Sequence, residues 1–203
     1  QYASLNPIHK IMFNYRINFT IILLLCISLN ETMALETPKY ALIAREDGFE
    51  IREYQSMIIA TTRVQNDYRN ATSTGFRRIA NYIFGGNSTG MSIEMTAPVI
   101  SNVPDADDIY DIQFVMPSEH SLEDLPQPNT EYVSIKEVNL GKTAVLRFGG
   151  WATRERASYY KDKLSGLMTI KGYEPNGVFM VAQYNSPWVL PPFRKNEIIV
   201  RIN

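Results

Sequence analysis

Few side chains in this chain have the type and spacing to do chemistry. Its two histidines are His9 and His120. His120 follows Glu119 and precedes Glu123, so one imidazole with two carboxylates in reach is the acid–base grouping on offer, and an imidazole can also ligate a metal. A serine hydrolase would have to use that histidine as its base, and no G-x-S-x-G elbow accompanies it. Cys26, the single cysteine, lies in an apolar N-terminal run, so a mature chain without that run has no thiol. Met91 and Met95 carry thioethers that could meet a soft metal, although both fall where a strand would bury them. Asp105, Asp107, Asp108 and Asp111 crowd together, but a calcium loop counted from Asp105 needs glycine sixth and glutamate twelfth, where Tyr110 and Met116 stand. That cluster reads as a solvated acidic loop. The glycines of Gly85-Gly86-Asn87-Ser88-Thr89-Gly90 are followed by Met91 and Ser92, not by the lysine and hydroxyl of a phosphate loop, and they leave a helix instead of opening one. No catalytic residue and no fixed metal ligand is assigned.

What remains is apolar surface. Phe76, Ile79, Ala80 and Ile83 recur at helical spacing, with Arg77, Arg78 and Asn81 facing away. A helix is expected from near Thr72 or Ser73, where a side-chain oxygen can cap it. It stops at Gly85-Gly86-Asn87, residues that tolerate a left-handed backbone. A second helix is expected from about Thr153, with Ala157, Tyr160, Leu164, Leu167 and Met168 inward and Gly172 at its end.

These helices sit among strands. Tyr40–Arg45 and Phe49–Tyr54 flank Asp47-Gly48, a hairpin signal. Further strands are expected at Met57–Val64, Ile93–Ser101, Ile109–Met116, Tyr132–Val138, Thr143–Phe148, Val178–Tyr184 and Ile198–Ile202, with a long loop from Pro117 to Thr130. The halves echo each other. Ile58–Val64, the first helix and Met95-Thr96-Ala97-Pro98 make one strand–helix–strand unit. Thr143–Phe148, the second helix and Tyr184-Asn185-Ser186-Pro187 make another. One such unit cannot bury both its helix and its sheet face, whereas two packed together can. The expected class is α+β: duplicated pseudo-twofold strand–helix–strand units, about eight mostly antiparallel strands in an open or distorted barrel, and two helices packed on it.

From about Tyr40 to Asn203 the chain resembles the SOUL family of haem-binding proteins. Gly48-Phe49-Glu50-Ile51-Arg52-Glu53-Tyr54 is similar to the family's opening hairpin, Gly75-Phe76 through Asn87 to its first helix and exit turn, and Met95-Thr96-Ala97-Pro98-Val99 to its best-known motif. Phe114-Val115-Met116-Pro117, Leu125-Pro126 and Arg194-Lys195-Asn196-Glu197-Ile198 match later landmarks. The resemblance implies the same architecture. It also implies non-covalent binding of haem or another porphyrin without a shared histidine, in an apolar cleft beside the first helix. On this chain that cleft maps to Phe76, Ile79 and Ile83, with Ala80 on the same side and Phe84, Met91 and Met95 nearby by position. Arg77 or Arg78 would pair with the propionates. Burying the faces of a porphyrin on such a surface contributes about 25 cal/mol per Å² of apolar area.

A formal net charge of −1 on 203 residues, with no long basic run, gives no broad attraction to nucleic acid. Lys10 and Arg16 precede an apolar run, Ile17 to Leu29, which is shorter than the roughly 20 residues of a bilayer span and suits a secretory signal peptide. Cleavage after Thr32-Met33-Ala34 would start the mature chain at Leu35. The expected organisation is therefore a signal peptide over 1–34, whose residues 1–11 precede Met12 and read as a gene-model extension, and one domain over 35–203. Asn70-Ala71-Thr72 and Asn87-Ser88-Thr89 fit the N-glycosylation pattern. The expected function is an exported, monomeric tetrapyrrole carrier or buffer, not an enzyme, with no transmembrane span in the mature chain. Two alternatives stand beside it: a small-molecule effector-binding module, whose plan the duplicated units also resemble, and a tetrapyrrole-modifying enzyme that removes iron, using His120 with Glu119 and Glu123.

Overall fold

The computed structural model describes residues 35–103 and 107–203. The expected signal peptide, its cleavage site, Cys26 and His9 lie outside the described residues, as does Asp105. The described residues form nine strands, β1 (Tyr40–Arg45), β2 (Glu50–Tyr54), β3 (Met57–Gln65), β4 (Val99–Asn102), β5 (Ile109–Val115), β6 (Ser134–Val138), β7 (Gly141–Phe148), β8 (Met180–Gln183) and β9 (Asn196–Arg201), and two α-helices, α1 (Tyr68–Ile83) and α2 (Arg154–Ile170). The strands form one antiparallel sheet in the order β1-β2-β7-β9-β8-β4-β5-β3-β6. The expected α+β fold is observed, as a curled half-barrel, and each of the nine strands overlaps one of the expected strand segments. The order is a palindrome of roles about the β4–β8 pair: β7-β9-β8 with α2 on one side, β4-β5-β3 with α1 on the other. Duplication of the strand–helix–strand unit is thus built into the sheet.

Period-two alternation sorts side chains onto two faces. The outer face divides between the helices. Ala60, Val64, Ile112 and Phe114 pack with Ala71, Ile79, Tyr82 and Ile83 of α1. Ala144, Leu146, Ile198 and Val200 pack with Ala157, Leu164 and Met168 of α2. The inner face holds a third cluster of Tyr54, Ile59, Ile100, Val115, Val145, Ala182 and Ile199.

Several boundaries shift by one to six residues from expectation, and the two largest shifts, at the starts of α1 and β4, have local causes. Helix α1 begins four residues before Thr72, because Asp67 caps it: its Oδ1 accepts from the Asn70 N–H at 3.0 Å. Thr72 then sits inside the helix, its hydroxyl donating to the Tyr68 carbonyl. The strand expected from Ile93 starts only at Val99. The cis Ala97–Pro98 bond lies immediately before it, and Thr96 donates its hydroxyl across to the Val115 carbonyl at 2.5 Å instead of entering a ladder. Helix α2 begins where expected, and the Thr153 hydroxyl caps it by accepting from the Arg156 N–H at 3.3 Å.

Candidate functional site

The residues expected to form a slot beside the first helix occupy three different environments. Ile79 and Ile83 are 0% and 1% exposed and belong to the core between α1 and the sheet. They cannot present a face to a rigid disc in this arrangement, and the reason is simple: the apolar stripe that could have lined a slot is the stripe that docks the helix. Ala80, Met91 and Met95 are half-buried, and the two methionines pack against the same core. Phe76 is 36% exposed, its ring edge-on to Phe114 at 5.3 Å, and Phe84 is exposed at the helix exit. Arg78 is engaged, donating to Thr62 Oγ1 and the Arg63 carbonyl and lying over the Tyr132 ring. His120 sits on the loop after β5 with its Nε2 3.6 Å from Glu119. The sequence-expected set is therefore not brought together as one open surface.

A concavity of about 530 Å³ opens elsewhere, at the start of α2. Gly149, Gly150, Trp151, Thr153 and Arg156 form one side, and Pro191 and Pro192 the other. Pairing of Phe148 with Asn196 in the β7–β9 ladder makes this site, because it lays the exit of one strand beside the entry to the other. The Gly150 N–H donates to the Pro191 carbonyl at 3.1 Å, and the Asn196 side-chain amide donates to the Gly150 carbonyl at 2.8 Å. Gly150 has φ of +81°, a conformation glycine accepts without strain. Arg194 stacks its guanidinium carbon 3.7 Å from the centre of the Trp151 ring. Arg156 donates to the Gly149 carbonyl at 2.8 Å, which fixes a cation on the rim beside the N-terminal end of α2. The segment carrying the two prolines also exposes Trp188 (91%), Leu190 and Phe193.

The walls are thus an indole, two pyrrolidines and two glycines, and the charge on the rim is the Arg156 guanidinium, beside a helix end whose first turn carries Glu155. Such a site suits a flat apolar ligand bearing a carboxylate. The concavity is shallow and largely open to solvent, so a flat ligand would lie across it with one face outward. Sequence reasoning missed it. The usable signals were Trp151 after a glycine pair at a strand exit, and a proline pair set among exposed aromatics, but nothing in the sequence says the two segments meet.

A second charged centre lies on the sheet's inner face. Arg52 and Glu197, both fully buried, bond through two parallel N–H···O contacts of 3.0 Å. Glu197 also accepts from the Tyr184 hydroxyl at 2.6 Å and from Arg147 at 3.1 Å. Burial works against its charge, but the bonds from Arg52 and Tyr184 outweigh it and hold the carboxyl below the usual range. Burial pushes Tyr54 up to about 12. Among the described residues, no group of three or more histidine, cysteine, aspartate or glutamate side chains could hold a metal ion.

Comparison with known proteins places this geometry. The SOUL heme-binding protein family matches residues 35–201. The chain belongs to the SOUL family. Heme-binding protein 2 of Mus musculus is 31% identical over 182 residues, covering 83% of this chain and 87% of its own. Heme-binding protein 2 of Homo sapiens is 32% identical over 178 residues, covering 81% and 85%. Among solved structures, a hydrolase from Listeria innocua superposes with a TM-score of 0.56 at 12% identity, covering 79% of this chain and 94% of its own. The EcmrR C-terminal domain gives 0.58 at 12% identity, covering 81% and 98%. At such identities these two likenesses concern the fold alone. Among the described residues of this SOUL chain, no helix is long and apolar enough to cross a membrane.

Proposed function

We propose that this SOUL protein binds haem or a related tetrapyrrole non-covalently, with the cleft between Trp151 and the Pro191-Pro192 turn as its site, and that it buffers or carries the ligand without transforming it. The observation that carries the reading is the cleft itself: flat apolar walls with a fixed cation on the rim. A porphyrin offers the complement, a wide apolar plane with two propionates. Trp151, Pro191 and Pro192 would hold the plane, and Arg156 would hold a carboxylate, while the first turn of α2 carries the carboxylate of Glu155. The exposed side chains of Trp188, Leu190 and Phe193 supply further apolar area on the same loop. The iron is cargo in this reading, and no axial ligand is assigned at the cleft. Affinity then comes from contact area, which favours moderate, reversible binding and ready release. Export through residues 1–34 belongs to the proposal as well, on the strength of the apolar run after Lys10 and Arg16.

Titration with haemin and with metal-free protoporphyrin tests the reading. Both should saturate at one site per chain with similar affinity, and haemin should shift its Soret band. Binding of the iron form alone, lost in His120→Ala, would replace the cleft by an axial histidine. A progressive loss of the Soret band on incubation would favour a tetrapyrrole-modifying enzyme. Silence toward every porphyrin would favour an effector-binding module. Export is checked by the N-terminal residue of secreted protein, expected to be Leu35.

A further inference from the structure

The two glycosylation patterns in the chain have opposite fates in the fold. Asn87 is 3% exposed, and its amide is fully employed. Its Nδ2 donates to the Tyr82 carbonyl at 2.9 Å and to the Met91 carbonyl at 2.7 Å, using both hydrogens. Its Oδ1 accepts from the N–H groups of Thr89 and Met91 and from the Thr89 hydroxyl. A sugar on that nitrogen would remove one donor and would have no room. Asn70, in contrast, is exposed on the first turn of α1. Its Nδ2 donates to Asp67 Oδ2 at 2.5 Å. A substituted amide keeps one hydrogen, so this bond survives substitution. Neighbouring Asn66, Asp67, Arg69 and Ser73 are exposed as well, so a glycan would extend into solvent.

We propose that Asn70 carries an N-linked glycan and that Asn87 is a structural asparagine which the folded, secreted protein keeps unmodified. The proposal rests on the export reading, because the transferase and its lipid-pyrophosphate-linked oligosaccharide reside in a secretory compartment. In the transfer, Asn70 Nδ2 forms a bond to the anomeric carbon of the first sugar. The bond from that carbon to the pyrophosphate oxygen breaks, the amide loses one proton, and the lipid pyrophosphate departs with the electron pair. Thr72, whose hydroxyl the motif requires, is half-buried and bonded to the Tyr68 carbonyl in the folded helix. Transfer therefore precedes closure of α1, and the folded protein is not a substrate.

The test is expression of the full chain in secreting eukaryotic cells, in two forms: with its own N-terminus, and with an established cleavable leader added ahead of it. Secreted protein is digested with an amidase that releases N-linked glycans, and peptides are mapped for the resulting Asn-to-Asp conversion. One mobility step is expected, with conversion at position 70 alone. Asn70→Gln should abolish the step. Thr89→Ala, which destroys the second motif while leaving Asn87 in place, should leave the step unchanged. If the native form is retained and unshifted but the leader form is secreted with a glycan on Asn70, the site stands and the export reading falls. A leader form that is secreted without a glycan, or that keeps its step in Asn70→Gln, overturns the site.

Discussion

The Arg194 guanidinium stacks on the Trp151 ring at 3.7 Å and holds the loop that faces it. Its Nη2 donates to the carbonyls of Ser186 at 3.3 Å and Pro187 at 2.6 Å. One side chain thus ties the wall on the α2 side of the cleft to the proline loop opposite. Its Nε is buried without a hydrogen-bond partner among the described residues, and burial lowers its pKa from the ordinary arginine value. A charge kept under such conditions points to a positioning role for the planar guanidinium.

Replacing Arg194 should loosen the cleft more than it unfolds the protein. Arg194→Lys keeps the charge but loses the planar stack and the forked donor, so lysine should not rescue. A desolvated cation–π contact is worth about 2 kcal/mol, and a lost hydrogen bond about 1 kcal/mol. At roughly 2–4 °C per kcal/mol for a domain of this size, thermal scans should show a fall of a few degrees to about 10 °C. Haemin titration of the folded variant should show affinity about tenfold lower. Full affinity in Arg194→Lys would show that the clamp does not shape the site.

Trp151→Ala separates the two candidate places for a tetrapyrrole. Loss of the indole removes the stack with Arg194 and should cost up to about 2 kcal/mol of stability, while haemin affinity should fall at least about tenfold, equivalent to roughly 1.4 kcal/mol. Ile79→Val and Ile83→Val should differ from it in binding. Each should lower stability by about 0.5–1.5 kcal/mol, as core truncations do, and leave haemin affinity unchanged. The reverse pattern would return the site to the flank of α1.

The contrast between these positions shows what periodicity can and cannot reveal. The stripe through Ile79 and Ile83 was legible as an apolar helix face, and so was the duplication, because both are local regularities in the sequence. Whether a stripe docks a helix or lines a slot depends on what lies opposite, and Ile112 and Phe114 arrive there from β5, some 30 positions away in sequence. The cleft was illegible for the same reason. Trp151 and Pro191 meet only through the register that pairs Phe148 with Asn196. Asp67 was missed as a cap because Thr72 and Ser73 stood nearer the apolar residues, while the polar first turn gave no helical signal of its own.

Gly75 reports on the closeness of α1 to the sheet. It is buried, and a Cβ added there would collide with the side chain of Ile112. Gly75→Ala should therefore destabilise despite alanine's better helix propensity, by about 1–3 kcal/mol as overpacked cores do. Valine at 112 keeps the β carbon and both γ carbons that the new methyl would meet, so Gly75→Ala with Ile112→Val should not recover the loss in urea denaturation. A stabilised single variant would mean that the helix can shift outward at no cost.

The Arg52–Glu197 pair predicts how stability depends on pH. In the native state the Glu197 carboxyl titrates below its usual range, so it binds protons less readily than in the unfolded chain, where a glutamate titrates near about 4.3. Its stabilising contribution is complete above that unfolded value and is lost as pH falls through the depressed native one. Tyr54 behaves inversely: raised to about 12, it contributes fully below the ordinary tyrosine range, and the contribution is lost as pH climbs from there toward 12. Glu197→Gln leaves Arg52 buried without that carboxylate, although Glu50 still bonds it at 2.7 Å. Breaking one partner of a buried pair costs about 3–5 kcal/mol. Denaturation followed from pH 2 to 7 should therefore show a variant that is weaker at neutrality and whose acid limb is flatter than the parent's. Arg52→Met together with Glu197→Gln should recover much of the neutral-pH loss, since the uncompensated charge is then gone. If Glu197→Gln instead kept the parent's acid limb, another carboxylate would be the source of the acid sensitivity.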